Sequence, residues 1–115
     1  QRARERPVSF QVLVPPSTAG DIARIVQHVR ETQSARRARS VLDQLAAARD
    51  SLASFPERGS PPRELLALGI NEYRQILSPP YRIIYYVADR RVIVVLIADG
   101  RRDMRSLLAR RLLGA

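Results

Sequence analysis

Residues 81–103, YRIIYYVADRRVIVVLIADGRRD, decide the fold of this chain. Ile83, Ile84, Tyr85, Tyr86 and Val87 form one run, and residues 92–97 form another. Both are β-branched or aromatic almost throughout, too continuously apolar for strands with one wet face. Each face of the sheet they build is therefore expected to be at least partly covered. The charged break at Asp89, Arg90 and Arg91 supplies a turn, so the runs read as a β-hairpin. Antiparallel pairing sets the start of one strand beside the end of the other. Arg82 should then meet Arg101 and Arg102, and that guanidinium cluster is the leading candidate site.

Upstream of the hairpin, residues 71–77, NEYRQIL, alternate as a strand, with Tyr73, Gln75 and Leu77 on one face and Arg74 and Ile76 on the other. Ser78, Pro79 and Pro80 turn this strand into the hairpin. The segment PERGSPP at residues 56–62 cannot sustain either period and ends a helical region, while residues 63–68 suit a single helical turn. Before it, Val41, Leu42, Leu45, Ala48, Leu52 and Phe55 lie along one helical face, and Ser34 is placed to cap that helix. Ile22, Ile25, Val26 and Val29 mark another amphipathic helix, reaching about Arg30. Thr18 followed by Asp21 resembles a capping box at its start. So short a link makes the two helices a hairpin laid on the sheet. Residues 9–14, SFQVLV, form a first strand stopped by Pro15 and Pro16, which cannot supply the ladder N–H. After Asp103, Met104, Leu107, Leu108 and Leu112 share the face of a terminal helix. The expected class is α+β: a helical hairpin on one face of a mainly antiparallel sheet, in the order β-α-α-β-β-β with a C-terminal helix.

The 115 residues suit one domain, with residues 1–7 as a flexible arm. The formal charge is +9, and every one of the 20 basic residues is arginine. That balance favours nucleic acid, a nucleoprotein machine or an acidic protein as partner. Without cysteine, disulfides, thiol nucleophiles and Cys-based metal sites are excluded. The single histidine, His28, leaves no His-rich metal centre and reads as a surface or packing residue of its helix. No cofactor is expected, and no Gly-rich phosphate loop or paired catalytic carboxylates occur. The longest uncharged apolar run, residues 92–98, is far short of the roughly 20 residues a membrane helix needs. A cytoplasmic protein is the expectation.

The element order, together with FPERG at 55–59, ELLALGINEYRQI at 64–76, PYRIIYYV at 80–87 and VLIADGRRD at 95–103, resembles the RelE/ParE superfamily of bacterial toxins. The resemblance covers almost the whole chain. It implies a small basic toxin of a type II toxin–antitoxin module, neutralised by a cognate antitoxin. Members of the superfamily either cleave mRNA on the ribosome or inhibit DNA gyrase, and a shared scaffold does not say which.

For RNA cleavage the 2′-hydroxyl must be deprotonated, the phosphorane charge held and the leaving oxygen protonated. By resemblance to the nucleases, Arg82 matches the YR arginine, Arg102 the arginine after the last strand, and Arg74 stands where a lysine would be; these three would be catalytic. Leu107 or Leu108 falls where the nucleases carry a terminal tyrosine, and no lysine, tyrosine or histidine follows Tyr86. Arginine holds charge well but exchanges protons poorly. The ParE-like branch therefore fits better, with gyrase as target and Arg74, Tyr81, Arg82, Arg101, Arg102 and Arg105 as target-binding residues. A third reading keeps the scaffold as a non-toxic basic binding module. In purely structural roles, Arg82 would pair with Asp103 to staple the hairpin to the terminal helix, Asp99 and Asp103 would neutralise Arg101 and Arg102, and Gly100 would permit a turn.

Overall fold

The computed structural model describes residues 9–114, so the arm expected at residues 1–7 lies outside the described residues. The chain runs β1 (Gln11–Leu13), α1 (Pro16–Thr32), α2 (Ala35–Ser54), α3 (Arg63–Leu66), β2 (Tyr73–Ser78), β3 (Tyr81–Ala88), β4 (Arg91–Asp99) and α4 (Met104–Leu113). The sheet has the order β1-β4-β3-β2. Its β2–β3 and β3–β4 pairs are antiparallel, and β1 lies parallel to β4 at one edge. This is the α+β architecture expected from the sequence.

The apolar continuity of β3 and β4 has the anticipated cause: each face of the sheet carries its own core. On one face Val29 of α1 and Val41, Leu45 and Leu52 of α2 pack against Ile76, Ile83, Tyr85, Val92 and Val94. On the other, Leu65 of α3 and Met104 and Leu108 of α4 pack against Ile84, Leu96 and Ala98. The register pairs Ile84 with Leu96 but Tyr85 with Val94, so Val95 is the extra residue of a bulge. The bulge resets the alternation along β4 so that Ile83 and Ile97 face α1 and α2 together. Asp89 and Arg90 close the hairpin with φ of 54° and 62°. This is the two-residue turn with both φ positive that matches strand twist, built here without glycine.

Two local readings are corrected. Thr18 and Asp21 form no capping box: α1 starts at Pro16 behind Pro15, with no side-chain cap. Instead, the buried Thr18 Oγ1 donates to the Val94 carbonyl at 2.7 Å, and Asp21 Oδ2 accepts from Ile97 N at 3.0 Å. The reason lies in β1, whose register with β4 ends at Leu13 opposite Ile93. Beyond that point no strand among the described residues borders the outer edge of β4, and unpaired buried backbone groups are costly. Side chains of α1 take the strand's place. The strand read at residues 71–77 begins later, at Tyr73. Ser34 does cap α2, accepting from Arg37 N at 2.9 Å.

The PERG bend is anchored by Tyr85, whose ring is fully buried. Its hydroxyl donates to the Pro56 carbonyl at 2.8 Å and accepts from Gly59 N at 3.1 Å. A Cβ on Gly59 would come within 2.6 Å of the Gln75 carbonyl oxygen and 2.7 Å of Tyr85 Oη, so only glycine fits. Ser60 bridges to Gln75 and covers part of the outer edge of β2.

Candidate functional site

The turn after β4 positions the candidate arginines. Arg101 doubles back on Asp99, with Nε at 2.9 Å and Nη2 at 2.6 Å from the carboxylate, which also accepts from Arg101 N. That guanidinium, before all else, holds the Asp99 carboxyl at about 2 against the opposing effect of burial. Asp103 caps α4, accepting from Ser106 N at 3.2 Å and Ser106 Oγ at 2.7 Å. Arg102 is exposed and has no acidic partner among the described residues.

Arg102 opens onto a cleft of about 630 Å³ between α1, the end of β4 and α4. Tyr81 lines it, as do Arg24 and His28, one turn apart on α1, and Arg110 of α4. Burial, and then the neighbouring Asp99, push the Tyr81 phenol above its ordinary range. At the base of the cleft sits Asp21, whose oxygens take Arg111 Nη1 at 2.9 Å, Arg111 Nη2 at 2.8 Å and Arg24 Nη2 at 2.9 Å. Arg111 also donates to the Val95 carbonyl at 2.8 Å, the group the bulge turns outward. Four arginines and two aspartates line the cleft, and one aspartate, Asp99, is already taken by Arg101. Its surplus is positive.

The other candidates lie elsewhere. Arg82 points to the α3 side of the sheet and is buried there. Its Nη1 and Nη2 fork onto Glu64 at 2.9 and 2.8 Å, and Nε donates to Gln75 Oε1 at 2.6 Å. Glu64, not Asp103, is thus its partner, because strand alternation turns Arg82 towards α3 while Asp103 is engaged at the start of α4. The Arg82 hydrogen bonds are the main reason the Glu64 carboxyl falls from 4.5 to about 2. Gly100 serves close approach: a Cβ there would lie 3.0 Å from Arg82 Cδ. Arg74 donates to the carbonyls of Glu57 at 3.2 Å and Gly59 at 2.7 Å, steadying the PERG bend. Arg105 borders a separate apolar groove between α3 and α4, beside Leu68, Leu112 and Leu113.

The structure therefore brings Tyr81 and Arg102 together in one cleft and leaves Arg74, Arg82 and Arg105 outside it. Arg24, His28, Arg110 and Arg111 are additions that the sequence reading missed. Arg24 and His28 share a helix face at i, i+4, a visible signal. Only the docking of α4 beside α1 shows what that face meets. Among the described residues no group of three or more His, Cys, Asp or Glu is placed to hold a metal. No helix among them is long and apolar enough to cross a membrane.

A basic α+β scaffold of this order, with a helical hairpin on one face and arginines after the last strand, is that of the small toxins of the RelE/ParE superfamily. Residues 12–104 match the family model of the ParE toxin of type II toxin–antitoxin systems, parDE. The chain belongs to that family and is a toxin of the type II toxin–antitoxin class. A solved chain of a chromosomal ParDE toxin–antitoxin system from P. aeruginosa shares its fold, with a TM-score of 0.66 and 13% identity over 79% of this chain and 96% of that one. The RelBE2 toxin–antitoxin complex from Mycobacterium tuberculosis gives a TM-score of 0.56 at 18% identity, over 85% of this chain and 99% of that one. At these identities the likeness is one of fold. No curated protein matches the chain.

Proposed function

We infer that this toxin inhibits DNA gyrase and performs no bond chemistry of its own. The observation that carries the reading is the Arg82–Glu64 pair. A nuclease centre built on this hairpin needs Arg82 and Arg102 converging on one phosphate, yet Arg82 is forked onto the Glu64 carboxylate under α3 while Arg102 opens onto the separate cleft between α1, the end of β4 and α4. Fixed, permanently charged guanidinium groups suit holding a partner better than moving protons. The family match supports the reading, as does the absence of Lys, Tyr and His after Tyr86.

A cognate antitoxin completes the proposal. The solved relatives are toxin–antitoxin systems. On this chain the groove between α3 and α4 leaves Leu68 and Leu113 about two-thirds exposed or more, at 66% and 70%. Arg105 lines it, and its one carboxylate, Glu64, is taken by Arg82, so an amphipathic acidic segment would combine burial with charge complementarity. Recovery of the toxin at moderate salt without the product of an adjacent reading frame would count against this part.

One observation favours a second reading, ribosome-dependent mRNA cleavage: His28, of the residue type most used as a general acid or base, lines the same cleft as Arg102 and Tyr81. The deciding experiment incubates the toxin with gyrase, ATP and relaxed plasmid. Lost supercoiling, with linear DNA released after protein digestion, is the expected result. Untouched gyrase together with mRNA cut on ribosomes, and cutting lost in His28→Ala, would replace the first reading by the second.

A further inference from the structure

We propose that the cleft between α1, β4 and α4 binds the phosphodiester backbone of DNA through Arg24, Arg102 and Arg110. This deepens the gyrase reading, on which it rests, by making DNA itself something the toxin touches. The three arginines come from three different elements and converge on one concave surface. All three are exposed, and Arg102 and Arg110 have no acidic partner among the described residues. Arg24 reaches Asp21, but that carboxylate is already held by both Nη atoms of Arg111, so the trio of Asp21, Arg24 and Arg111 keeps a net positive charge.

The lining also argues against an acidic peptide as occupant. Protein partners gain most of their affinity by burying apolar or aromatic anchors in pockets. The apolar residues at the back of this cleft, Leu96, Ile97 and Ala98, are already buried in the toxin's own core. Besides the half-buried Ile25 and Leu107, what the cleft presents is guanidinium with two rings, His28 and Tyr81. Guanidinium forks match phosphate oxygens in pairs. Asp21 and Arg111 serve as positioning residues, since their ion pair fixes α1 against α4 and so sets the spacing of Arg24 and Arg110.

The test uses fluorescence anisotropy of the full chain with a short labelled DNA duplex and no gyrase, so that it reads the cleft independently of the target. Three phosphate contacts should make affinity fall about 40-fold between about 50 and 200 mM salt. Each of Arg24→Ala, Arg102→Ala and Arg110→Ala should lower the slope of log affinity against log salt by about one. Arg36→Ala removes the same charge from an exposed position on α2 outside the cleft and should leave the slope unchanged. An equal loss in Arg36→Ala would mean that net charge alone attracts DNA, and the site would fall. A poly-glutamate peptide that displaces the duplex at equal charge concentration would overturn the proposal in favour of an acidic protein partner. Tighter binding of single-stranded RNA in the same arginine-dependent way would overturn the assignment to DNA. Gyrase inhibition that persists in the three variants with DNA binding lost would leave the gyrase reading standing and limit the cleft to affinity for DNA. Cleft binding with gyrase untouched would do the reverse.

Discussion

Arg82 of β3 and Glu64 of α3 meet fork on fork, with both guanidinium Nη atoms within 2.9 Å of the carboxylate and Nε held by Gln75. The carboxylate occupies the position a phosphate would take on that guanidinium. Side-chain exposures of 11% and 19% place the pair largely out of water. Asp99 with Arg101 has equally short contacts, but there the arginine side chain is 81% exposed. Screening makes such a surface pair worth little. Of the two, the Glu64 pair is the one that matters to the fold.

Acid should therefore act through Glu64. Its carboxyl is depressed from 4.5 to about 2, so the stability it contributes is complete above the ordinary value and is lost as pH falls from about 4.5 towards 2. The difference corresponds to about 3 kcal/mol. Denaturant melts of the wild type at pH 7 and pH 3 should differ by a large part of that amount, and Glu64→Gln should show a smaller difference. At neutral pH, Glu64→Ala should cost about 3–5 kcal/mol by stranding a buried guanidinium, whereas Glu64→Leu with Arg82→Met should return close to wild type. An inexpensive Glu64→Ala would mean that Arg82 finds water, and the functional reading of Arg82 would reopen.

The PERG bend gives a second expectation. Gly59→Ala would push a methyl into the Gln75 carbonyl and the Tyr85 hydroxyl, at 2.6 and 2.7 Å. Overpacking against backbone costs about 1–3 kcal/mol. Gly69 has φ of +78° but open space around it, so Gly69→Ala should cost only the left-handed penalty, about 1–2 kcal/mol. Tyr85→Phe removes the partner of Gly59 N and of the Pro56 carbonyl and should cost about 1–3 kcal/mol. Thermal melts rank the three, and Gly59→Ala combined with Tyr85→Phe should be less damaging than the sum, since the second relieves one of the clashes.

The hairpin, the helical hairpin and the terminal helix were legible because each is written in a local period: β3 and β4 in continuous apolar runs, α1 and α2 in 3.6-residue stripes. What escaped was long-range polar pairing. Asp21 three residues after Thr18 looks the same whether it caps a helix or replaces a missing strand 76 residues away. The parallel edge β1 stops early, and nothing in residues 9–14 announces which part of β4 it leaves bare. Glu64 and Asp103 are equally good partners for Arg82 on paper, and only the side of the sheet decides between them. In the sequence His28 is a lone histidine on a helix face, and its cleft exists only once α4 lies beside α1.

The edge of β4 offers a test of that missed pairing. Thr18→Val is nearly isosteric but leaves the Val94 carbonyl without its donor, and should cost about 1–3 kcal/mol. Thr18→Ser keeps the hydroxyl and should recover most of the loss in a denaturant melt.

Arg111 carries the last expectation, because it joins the two cores. Met104 and Leu108 bury α4 at its N-terminal half, while the C-terminal half is held to the sheet and α1 by Arg111, through Asp21 and the Val95 carbonyl. Arg111→Met keeps the aliphatic stem and removes three hydrogen bonds, leaving Asp21 with Arg24 and Ile97 N. Asp21 stays paired, so the global melt should shift modestly, by about 1–2 kcal/mol. The local effect should be larger: amide exchange should accelerate at Arg110, Leu112 and Leu113 well beyond the change in β3. Asp21→Ala is the severe counterpart, since it orphans the buried Ile97 N–H and the Arg111 guanidinium together and should cost about 3–5 kcal/mol globally. Uniform acceleration of exchange in Arg111→Met, across β3 as well as α4, would show instead that α4 and the sheet open as one cooperative unit.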